Sequence, residues 1–437
     1  MLRNFTINVI IGLALLLVLH SPWVQRNRAL ADAREAIVTW QMATLTGVDT
    51  GQRLAWIDID EAAHAAWGLP SSTRRDKLAT LIAFALRGRP SAIVVDIDLT
   101  SAVPGLPQFD AQLRRELQNH VQNCAAACTP VFLVRSFAPS PDYVYAGREG
   151  AALQAQPSFL DPALSTSPLR PWSGRGVYWG SAGMDRETDL VVRRWRLWES
   201  SCSASGPAIV IPSVALLAAA AAAGTNTNDV RGALQPHALI CTRLGQTAPV
   251  QMPQPATYLR IGKSQTALTE NALDRRLFFR IPWSQSDRAP GLAVTLPAGP
   301  IAGNPHADPS ILRGRVVVIG TSNRASGDMR MTPIGEMPGA LVIVNAVNSL
   351  LRGDQIHEPG WAVSIGIELV LILIVSFLFA MLSTAVALAL SLGIIVLGSL
   401  TLGFVAFNSG VWIDSVVPLA GVILHEVLDR LHHRFFY

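Results

Sequence analysis

Charged residues are scarce in this chain of 437 residues. Asp, Glu, Lys and Arg make up 15% of it, whereas soluble globular domains carry about 25% charged residues. Half of the residues are hydrophobic, and the mean hydropathy is +0.33. The shortage of charge excludes an ordinary soluble protein and indicates that apolar sequence is concentrated in membrane segments.

Lysine is almost missing, because Lys77 and Lys263 are the only two and the other basic residues are arginines. The net charge is only +4. No cluster of arginines alternates with aromatic residues, as a surface for single-stranded nucleic acid requires. Nucleic acid is therefore excluded as a partner, and the arginine- and alanine-rich composition favours a bacterial origin.

Cysteine is also rare: the chain has Cys124, Cys128, Cys202 and Cys241. All four fall in the segment that we predict to lie outside the cytoplasm. In that oxidising environment four cysteines permit two disulfides, with three possible connectivities. We favour Cys124 with Cys128 and Cys202 with Cys241, and free or partly buried thiols are the alternative. A zinc site is disfavoured, because no second close cysteine pair follows the first and no histidine lies beside it. The sequence does not identify a cofactor.

Four apolar segments are long enough, or nearly so, for the roughly 20 residues that cross a hydrocarbon core. The first could also be a secretory signal peptide, since residues 29–31 (Ala-Leu-Ala) resemble a cleavage site. Arg26 and Arg28, which a cleavage region normally lacks, favour an uncleaved anchor. The four segments cover residues 6–20, 361–382, 384–407 and 411–428.

Basic residues flank both outer ends of this set of segments. Arg3 precedes the first segment, and Arg430 and Arg434 follow the last. Because cytoplasmic flanks are enriched in Lys and Arg, we expect a multi-pass protein of the bacterial inner membrane with both termini in the cytoplasm. The predicted divisions are an N-terminal anchor over 1–23, a periplasmic domain over 24–357, a three-helix membrane cluster over 358–428 and a cytoplasmic tail over 429–437.

The periplasmic domain is predicted to alternate strands with helices. The β-α-β-α-β order of its first elements favours an α/β domain with a largely parallel, mixed sheet, in addition to the four transmembrane helices. Loops rich in proline are predicted at 139–176 and 286–310. Strands are predicted at 54–59, 91–98, 131–134, 176–182, 191–198, 238–244, 256–261 and 315–321, and helices at 73–87, 108–122, 212–223 and 339–351.

Acidic residues follow the first two predicted strands. Asp58 and Asp60 come at the end of the first strand, and Asp96 and Asp98 at the end of the second. Ligands of open parallel sheets bind beyond the carboxyl ends of the strands, so these acids are candidates for contact with a cation or a polar ligand. The alternative is structural, with the same side chains capping the next helix or accepting bonds from loop amides.

The loop after the last predicted strand carries Thr321, Asp328 and Thr332. Its small residues let backbone amides approach a ligand, and Asp328 could close the same cleft from the other side. A tight turn with local side-chain capping is the alternative. Phosphate binding is only weakly indicated, because neither Gly-x-Gly-x-x-Gly nor the P-loop pattern occurs.

Polar residues within the predicted spans are candidates for coupling between membrane helices. A carboxylate inside a span usually meets a partner, so we expect Glu368 to bond to a serine or histidine of a neighbouring helix, to stay protonated or to reach the interface. Ser391 and Ser399 belong to a row of small residues at spacings of four, which indicates close helix packing. That packing is either within the three-helix cluster or between two copies of the chain.

Four segments carry a family resemblance. The sequences are AWIDIDEAAHAAWGLPSSTRRDKLATLIAFAL at 55–86, RPSAIVVDIDLT at 89–100, DLVVRR at 189–194 and GRVVVIGTSNRASGDMRMTPIGEMPGALVIVNAVNSLLRG at 314–353. Together they resemble the type-two CHASE domain, an extracellular sensory domain associated with bacterial cyclases and histidine kinases. The layout of one helix before the domain and three after it is similar to that family as well.

The resemblance implies a sensory role. Family members commonly carry a cytoplasmic kinase or cyclase after the last helix, whereas this sequence ends about ten residues past it. We therefore expect a stand-alone form that signals to a separately encoded effector.

The leading hypothesis is a membrane sensor and not an enzyme. Its expected partners are the lipid bilayer and either a second copy of the chain or a membrane or cytoplasmic effector protein. One alternative is a membrane-anchored, metal-assisted hydrolase that uses Asp58, Asp96 and Asp328. The other is a structural subunit of an assembly.

Overall fold

The chain divides into two compact units, one formed by Met1–Leu45 with Ile356–Tyr437 and the other by Thr46–Gln355. The computed structural model describes residues 2–25, 27–44, 54–68, 72–124, 128–148, 150–161, 176–186, 189–246, 257–268, 276–283, 293–304, 306–353, 356, 359–424 and 427.

The helices of these residues are α1 (Leu2–Leu19), α2 (Pro22–Gln25), α3 (Arg28–Thr44), α4 (Glu61–Trp67), α5 (Arg75–Arg87), α6 (Pro107–Asn123), α7 (Val214–Ala222), α8 (Thr227–Leu234), α9 (Ala298–Gly303), α10 (Gly339–Arg352), α11 (Trp361–Met381) and α12 (Thr384–Asn408). The strands are β1 (Leu54–Ile59), β2 (Ala92–Val95), β3 (Val131–Arg135), β4 (Phe137–Tyr145), β5 (Ala151–Ala155), β6 (Val177–Ser181), β7 (Met184–Arg186), β8 (Val192–Trp195), β9 (Trp198–Ser201), β10 (Gly206–Pro207), β11 (Ile209–Pro212), β12 (Ile240–Arg243), β13 (Thr257–Ile261), β14 (Ser264–Leu268), β15 (Val294–Pro297), β16 (Val316–Thr321), β17 (Met329–Thr332) and β18 (Gly335–Pro338).

A parallel sheet of six strands forms the centre of the second unit. Its order is β15-β1-β16-β2-β3-β6, and every neighbouring pair is parallel. The continuous apolar sequences of β2 and β16 are buried on both faces, as expected for interior strands of a parallel sheet. The prediction of a mixed α/β domain with a parallel sheet is confirmed, and the strand predicted at residues 315–321 is β16, an interior strand of that sheet.

Helices cover both faces of this sheet. On one face, α4, α5, α6 and α9 bury their apolar residues in a cluster with alternate strand residues such as Ile57, Val95 and Ile319. On the other face, α7 contacts β2, β3, β6 and β16, while α10 contacts β1, β16 and α7. Helix α7 is short, very apolar and almost fully buried, so it is a core helix.

The close packing of α10 on the sheet depends on Gly320 in β16. A Cβ atom on Gly320 would overlap the Cβ atom of Ala340 in the first turn of α10. Glycine therefore lets the helix approach the strand closely at this point.

Both predicted proline-rich loops contain strands, so these two loop predictions are wrong for the described residues. In 139–176, β4 and β5 pair antiparallel, with a shift of register between Pro139 and Val144. Prolines are tolerated at such bulges because the ladder hydrogen bond is already interrupted there. In 286–310, β15 adds an edge strand to the parallel sheet. Residues 162–175 and 284–292 lie outside the described residues.

Among the described residues of the first unit, α11 and α12 are long and apolar enough to cross a membrane by length and composition. The apolar part of α1 covers Phe5–Leu19 and is shorter. In the segment predicted as the last span, residues 416–424 are helical and 411–415 are not. Two of the four predicted spans are therefore full-length apolar helices. The apolar part of α1 is shorter because the apolar sequence is brief at 5–19, and the last predicted segment continues into residues outside the described part of the structure.

Within this unit, α1 packs against α11. The side chain of Ile372 lies against Gly12, where an added Cβ atom would come within 2.7 Å of it. The Arg34 guanidinium of α3 pairs with the Asp414 carboxylate at 2.7 Å. These contacts join the N-terminal helices to the C-terminal ones in one unit.

Candidate ligand cleft

A cleft of about 500 Å³ opens at the carboxyl ends of β2 and β16. Parallel strands end on the same edge of a sheet, so the residues that follow them come together there. Of the residues proposed from the sequence, the cleft is lined by Asp96, Asp98, Thr321 and Asp328. Further polar residues that line it are His64, Arg75, Ser136, Asn323 and Arg330.

Asp96 lies directly after β2 and is the central carboxyl group of the cleft. Burial and the neighbouring charge of Asp328 together raise the pKa of Asp96 to about 8, although the charge of Arg330 lowers it. Asp96 therefore holds a proton at neutral pH. A cation brought to this position would favour the ionised carboxylate and release that proton.

Asp98 lies two residues further on and behaves differently. Burial disfavours its charged form, but hydrogen bonds to its carboxylate from Thr100 and Ser136 outweigh the effect of burial and lower the pKa of Asp98. The Ser136 hydroxyl donates to Oδ1 of Asp98 at 3.1 Å. The cleft thus contains one protonated and one ionised carboxyl group from the same loop.

Asp328 also lines the cleft and directly precedes the β17–β18 hairpin. Its Oδ1 lies 2.6 Å from Nη2 of Arg330. Its backbone oxygen accepts a hydrogen bond from the amide of Gly339 at 2.8 Å, because the hairpin returns the chain to this point. Asp328 therefore belongs both to the cleft wall and to the start of α10.

Arg75, the first residue of α5, was not proposed from the sequence. It is buried, and its Nη2 donates to the backbone oxygen of Asp98 at 2.7 Å. Its Nε and Nη1 are buried without a hydrogen-bond partner, and Nε lies 4.0 Å from Asp110. Burial lowers the pKa of Arg75. Arg330 was missed as well, although its position two residues after Asp328 in a predicted loop was a local indication.

Three of the proposed ligand residues have structural contacts instead. Asp60 is the N-cap of α4, and its Oδ1 accepts from the amide of Ala63 at 2.8 Å. Asp58 accepts from the Ser322 hydroxyl at 2.8 Å, and Thr332 donates to Gly335 within its hairpin. Of these described residues, none lines the cleft. Their contacts agree with the structural alternative, and Asp58 does not line the cleft with Asp96 and Asp328, the two residues that the hydrolase hypothesis groups with it.

The cysteines form the two pairs favoured from the sequence, Cys124 with Cys128 and Cys202 with Cys241. The statement that no histidine lies beside the first pair is wrong, since His120 precedes Cys124 by one helical turn. Among the described residues, His120, Cys124 and Cys128 are the group whose potential metal-ligand atoms all lie within 4.8 Å of one another.

Of the predicted coupling residues, Glu368 meets the expected histidine, because its Oε2 lies 3.5 Å from Nε2 of His20. Ser391 and Ala387 are fully buried within the single chain, which favours packing inside the first unit over packing between copies. The side chain of Ser399 lies outside the described part of the structure.

Comparison with known protein families matches residues 10–382 to the family described as CHASE2 domain. The matched range includes all of the cleft residues and the whole of α11. No match was found among curated proteins or among solved structures.

Proposed function

The chain belongs to the CHASE2 domain family, and on this basis we propose that it is a membrane-bound sensor whose periplasmic domain binds a small polar ligand in the cleft. The observation that carries the proposal is the group of opposed charges in one cleft of about 500 Å³. A site of this size and position is typical of small-molecule binding in α/β domains.

The charges indicate the kind of ligand. Asp96 lines the cleft together with Asp328 and Arg330, and the latter two form an ion pair with each other. A ligand with a positively charged or hydrogen-bond-donating group fits Asp96. Its acceptor groups fit Arg330 or the hydroxyl of Thr321.

The path of transmission follows the chain from the cleft to the membrane. A ligand that moves Asp328 also moves the start of α10, since the two are hydrogen-bonded. Helix α10 ends at Arg352, and α11 begins at Trp361. We propose that the shift reaches α11 through this short connection and that a cytoplasmic effector protein responds to it.

For the membrane topology, we propose four crossings with both termini in the cytoplasm. The long apolar helices α11 and α12 and the basic flanks Arg3, Arg430 and Arg434 support this arrangement. The proposal places residues 24–357 in the periplasm and the α11–α12 connection at Ser383 on the cytoplasmic side.

Thiol labelling tests the topology. Ser101→Cys, exposed beside the cleft, should react with a membrane-impermeant maleimide in intact spheroplasts. Ser383→Cys, also exposed, should react only after the membrane is opened. Labelling of Ser383→Cys in intact spheroplasts would contradict the topology.

A thermal-shift screen of small polar metabolites tests the ligand site, using full-length protein in detergent. At least one compound should raise the Tm of the wild type, and Asp96→Asn should bind it at least about tenfold more weakly. The matched control is Asp142→Asn, an exposed aspartate on β4 that does not line the cleft. An unchanged shift in Asp96→Asn would place the binding site elsewhere.

A further inference from the structure

Three metal-ligand side chains converge at the end of α6. His120 lies in the last turn of the helix and Cys124 is its C-cap residue, while Cys128 follows four residues later. The potential ligand atoms of the three lie within 4.8 Å of one another. Histidine with two thiolates is a ligand set that zinc and other thiophilic ions accept.

The three ligand atoms border one small space beside Gly176. A Cβ atom on Gly176 would lie 2.7 Å from Sγ of Cys124, 3.1 Å from Sγ of Cys128 and 3.1 Å from Nε2 of His120. The φ angle of Gly176 is +80°, which also favours glycine. No side chain from this position therefore fills the space that the three atoms face.

The imidazole of His120 is held in a fixed position by a backbone contact. Its Nε2 lies 2.9 Å from the backbone oxygen of Thr129, which fixes the position of the ring. Metal binding through Nε2 would displace this contact, and binding through Nδ1 would keep it.

We propose that His120, Cys124 and Cys128 form a binding site for a thiophilic metal ion, Zn²⁺ in the first instance, that opens when the Cys124–Cys128 disulfide is reduced. A dithiol reductant supplies two electrons and two protons, which convert the disulfide to two thiols while the reductant becomes a disulfide. Zn²⁺ then displaces the two thiol protons and binds both thiolates and one ring nitrogen. A water molecule completes the four-coordinate set.

This site is separate from the ligand cleft. Thr129 and Gly176 precede β3 and β6, and the amide of Val131 donates to the Gly176 oxygen at 2.7 Å. They therefore lie at the amino edge of the parallel sheet, whereas the cleft lies at its carboxyl edge. The metal site does not depend on the function proposed for the cleft.

Zinc binding to the full-length protein in detergent tests the proposal. The protein is reduced with a phosphine, freed of reductant without exposure to air and titrated with Zn²⁺ against a chromophoric chelator. The reduced wild type should bind about one equivalent, and the oxidised wild type should bind at least about tenfold more weakly. Cys124→Ser, Cys128→Ser and His120→Ala should each weaken binding at least about tenfold. The double variant Cys202→Ser/Cys241→Ser, which removes the other pair, should bind like the reduced wild type.

Co²⁺ added to the reduced wild type gives a readout that needs no variant. A thiolate-to-cobalt charge-transfer band supports the site. Absence of that band, equal zinc affinity in the oxidised protein, or binding that survives Cys124→Ser or His120→Ala overturns the proposal.

Discussion

The carboxylate of Asp328 lies directly against Gly339, the first residue of α10. A Cβ atom on Gly339 would overlap both carboxylate oxygens, and the Gly339 amide donates to the Asp328 backbone oxygen at 2.8 Å. A residue that lines the cleft and the start of α10 are therefore in direct contact. This contact gives the proposed sensor a physical connection between ligand and helix.

The raised pKa of Asp96 predicts how stability depends on pH. The folded protein keeps the Asp96 proton up to a pKa of about 8, whereas the unfolded chain loses it near pH 4. The contribution of Asp96 to stability is therefore fully present below about pH 4 and is lost as the pH rises towards about 8.

Asp96→Asn should remove this contribution to the pH dependence and stabilise the protein at pH 8 by on the order of 2 to 5 kcal/mol. Thermal unfolding followed by tryptophan fluorescence between pH 5 and 8.5 measures the effect, with Asp142→Asn as control. If the Tm of Asp96→Asn and of the wild type changed with pH in parallel, the Asp96 carboxyl would be ionised over the whole range from pH 5 to 8.5.

The two partners across the cleft should move the pKa of Asp96 in opposite directions. Asp328 raises this pKa and Arg330 lowers it, so Asp328→Asn should lower the pKa below about 8 and Arg330→Met should raise it. For each variant, the pH at which the Asp96-dependent loss of stability ends gives the pKa of Asp96 in the folded protein. Shifts in the same direction would contradict the arrangement of charges.

Gly320→Ala should destabilise the domain by about 1–3 kcal/mol, because the new methyl group overlaps Ala340 at the close approach of α10 to β16. The matched control is Gly232→Ala in α8, where an added Cβ atom meets nothing within 4 Å. That change should be neutral or stabilising by up to about 1 kcal/mol, since alanine favours helix. Urea unfolding measures the free energy of unfolding of both variants. An equal change in the two variants would contradict the close approach of α10 to β16.

Arg135 and Asp161 form a buried pair with two hydrogen bonds of 2.9 and 2.7 Å. Removing either partner leaves a buried charge uncompensated, so Arg135→Met and Asp161→Leu should each cost about 3–5 kcal/mol. The double variant should be less destabilised than the sum of the two. Urea unfolding of all four proteins measures this coupling, and single effects below about 1 kcal/mol would mean that the pair is solvated.

The parts of the fold that depend on local sequence were predicted well. Strands β2 and β16 are continuous apolar sequences, and β1 is apolar except for Asp58. Helices α5, α6, α7 and α10 lie within a few residues of their predicted bounds. Strands that are buried on both faces are almost entirely apolar, so they can be recognised from the sequence. The strands in the two proline-rich segments were missed, because proline at a bulge or an edge has the same composition as proline in a loop.

The cleft was predicted in part, because long-range contacts decide which acids reach it. Asp60 follows a strand as Asp96 does, but it caps a helix. Arg75 reaches the cleft because α5 begins near the carboxyl ends of the strands. The spacing of residues along the chain does not predict this position of the helix. Asn345 is a similar case, since its side chain accepts from the Ile281 amide at 2.9 Å and donates to the Ile281 oxygen at 3.0 Å, 64 residues away.

His120 could have been found from the sequence, since it precedes Cys124 by four residues on a predicted helix.

Native mass spectrometry of the protein released from its own membranes tests the central claim most directly. The account predicts a small-molecule adduct on the wild type and on Asp142→Asn, and its loss from Asp96→Asn. The same adduct on Asp96→Asn, or none on the wild type, would contradict the claim that the cleft at Asp96 is the site of sensing.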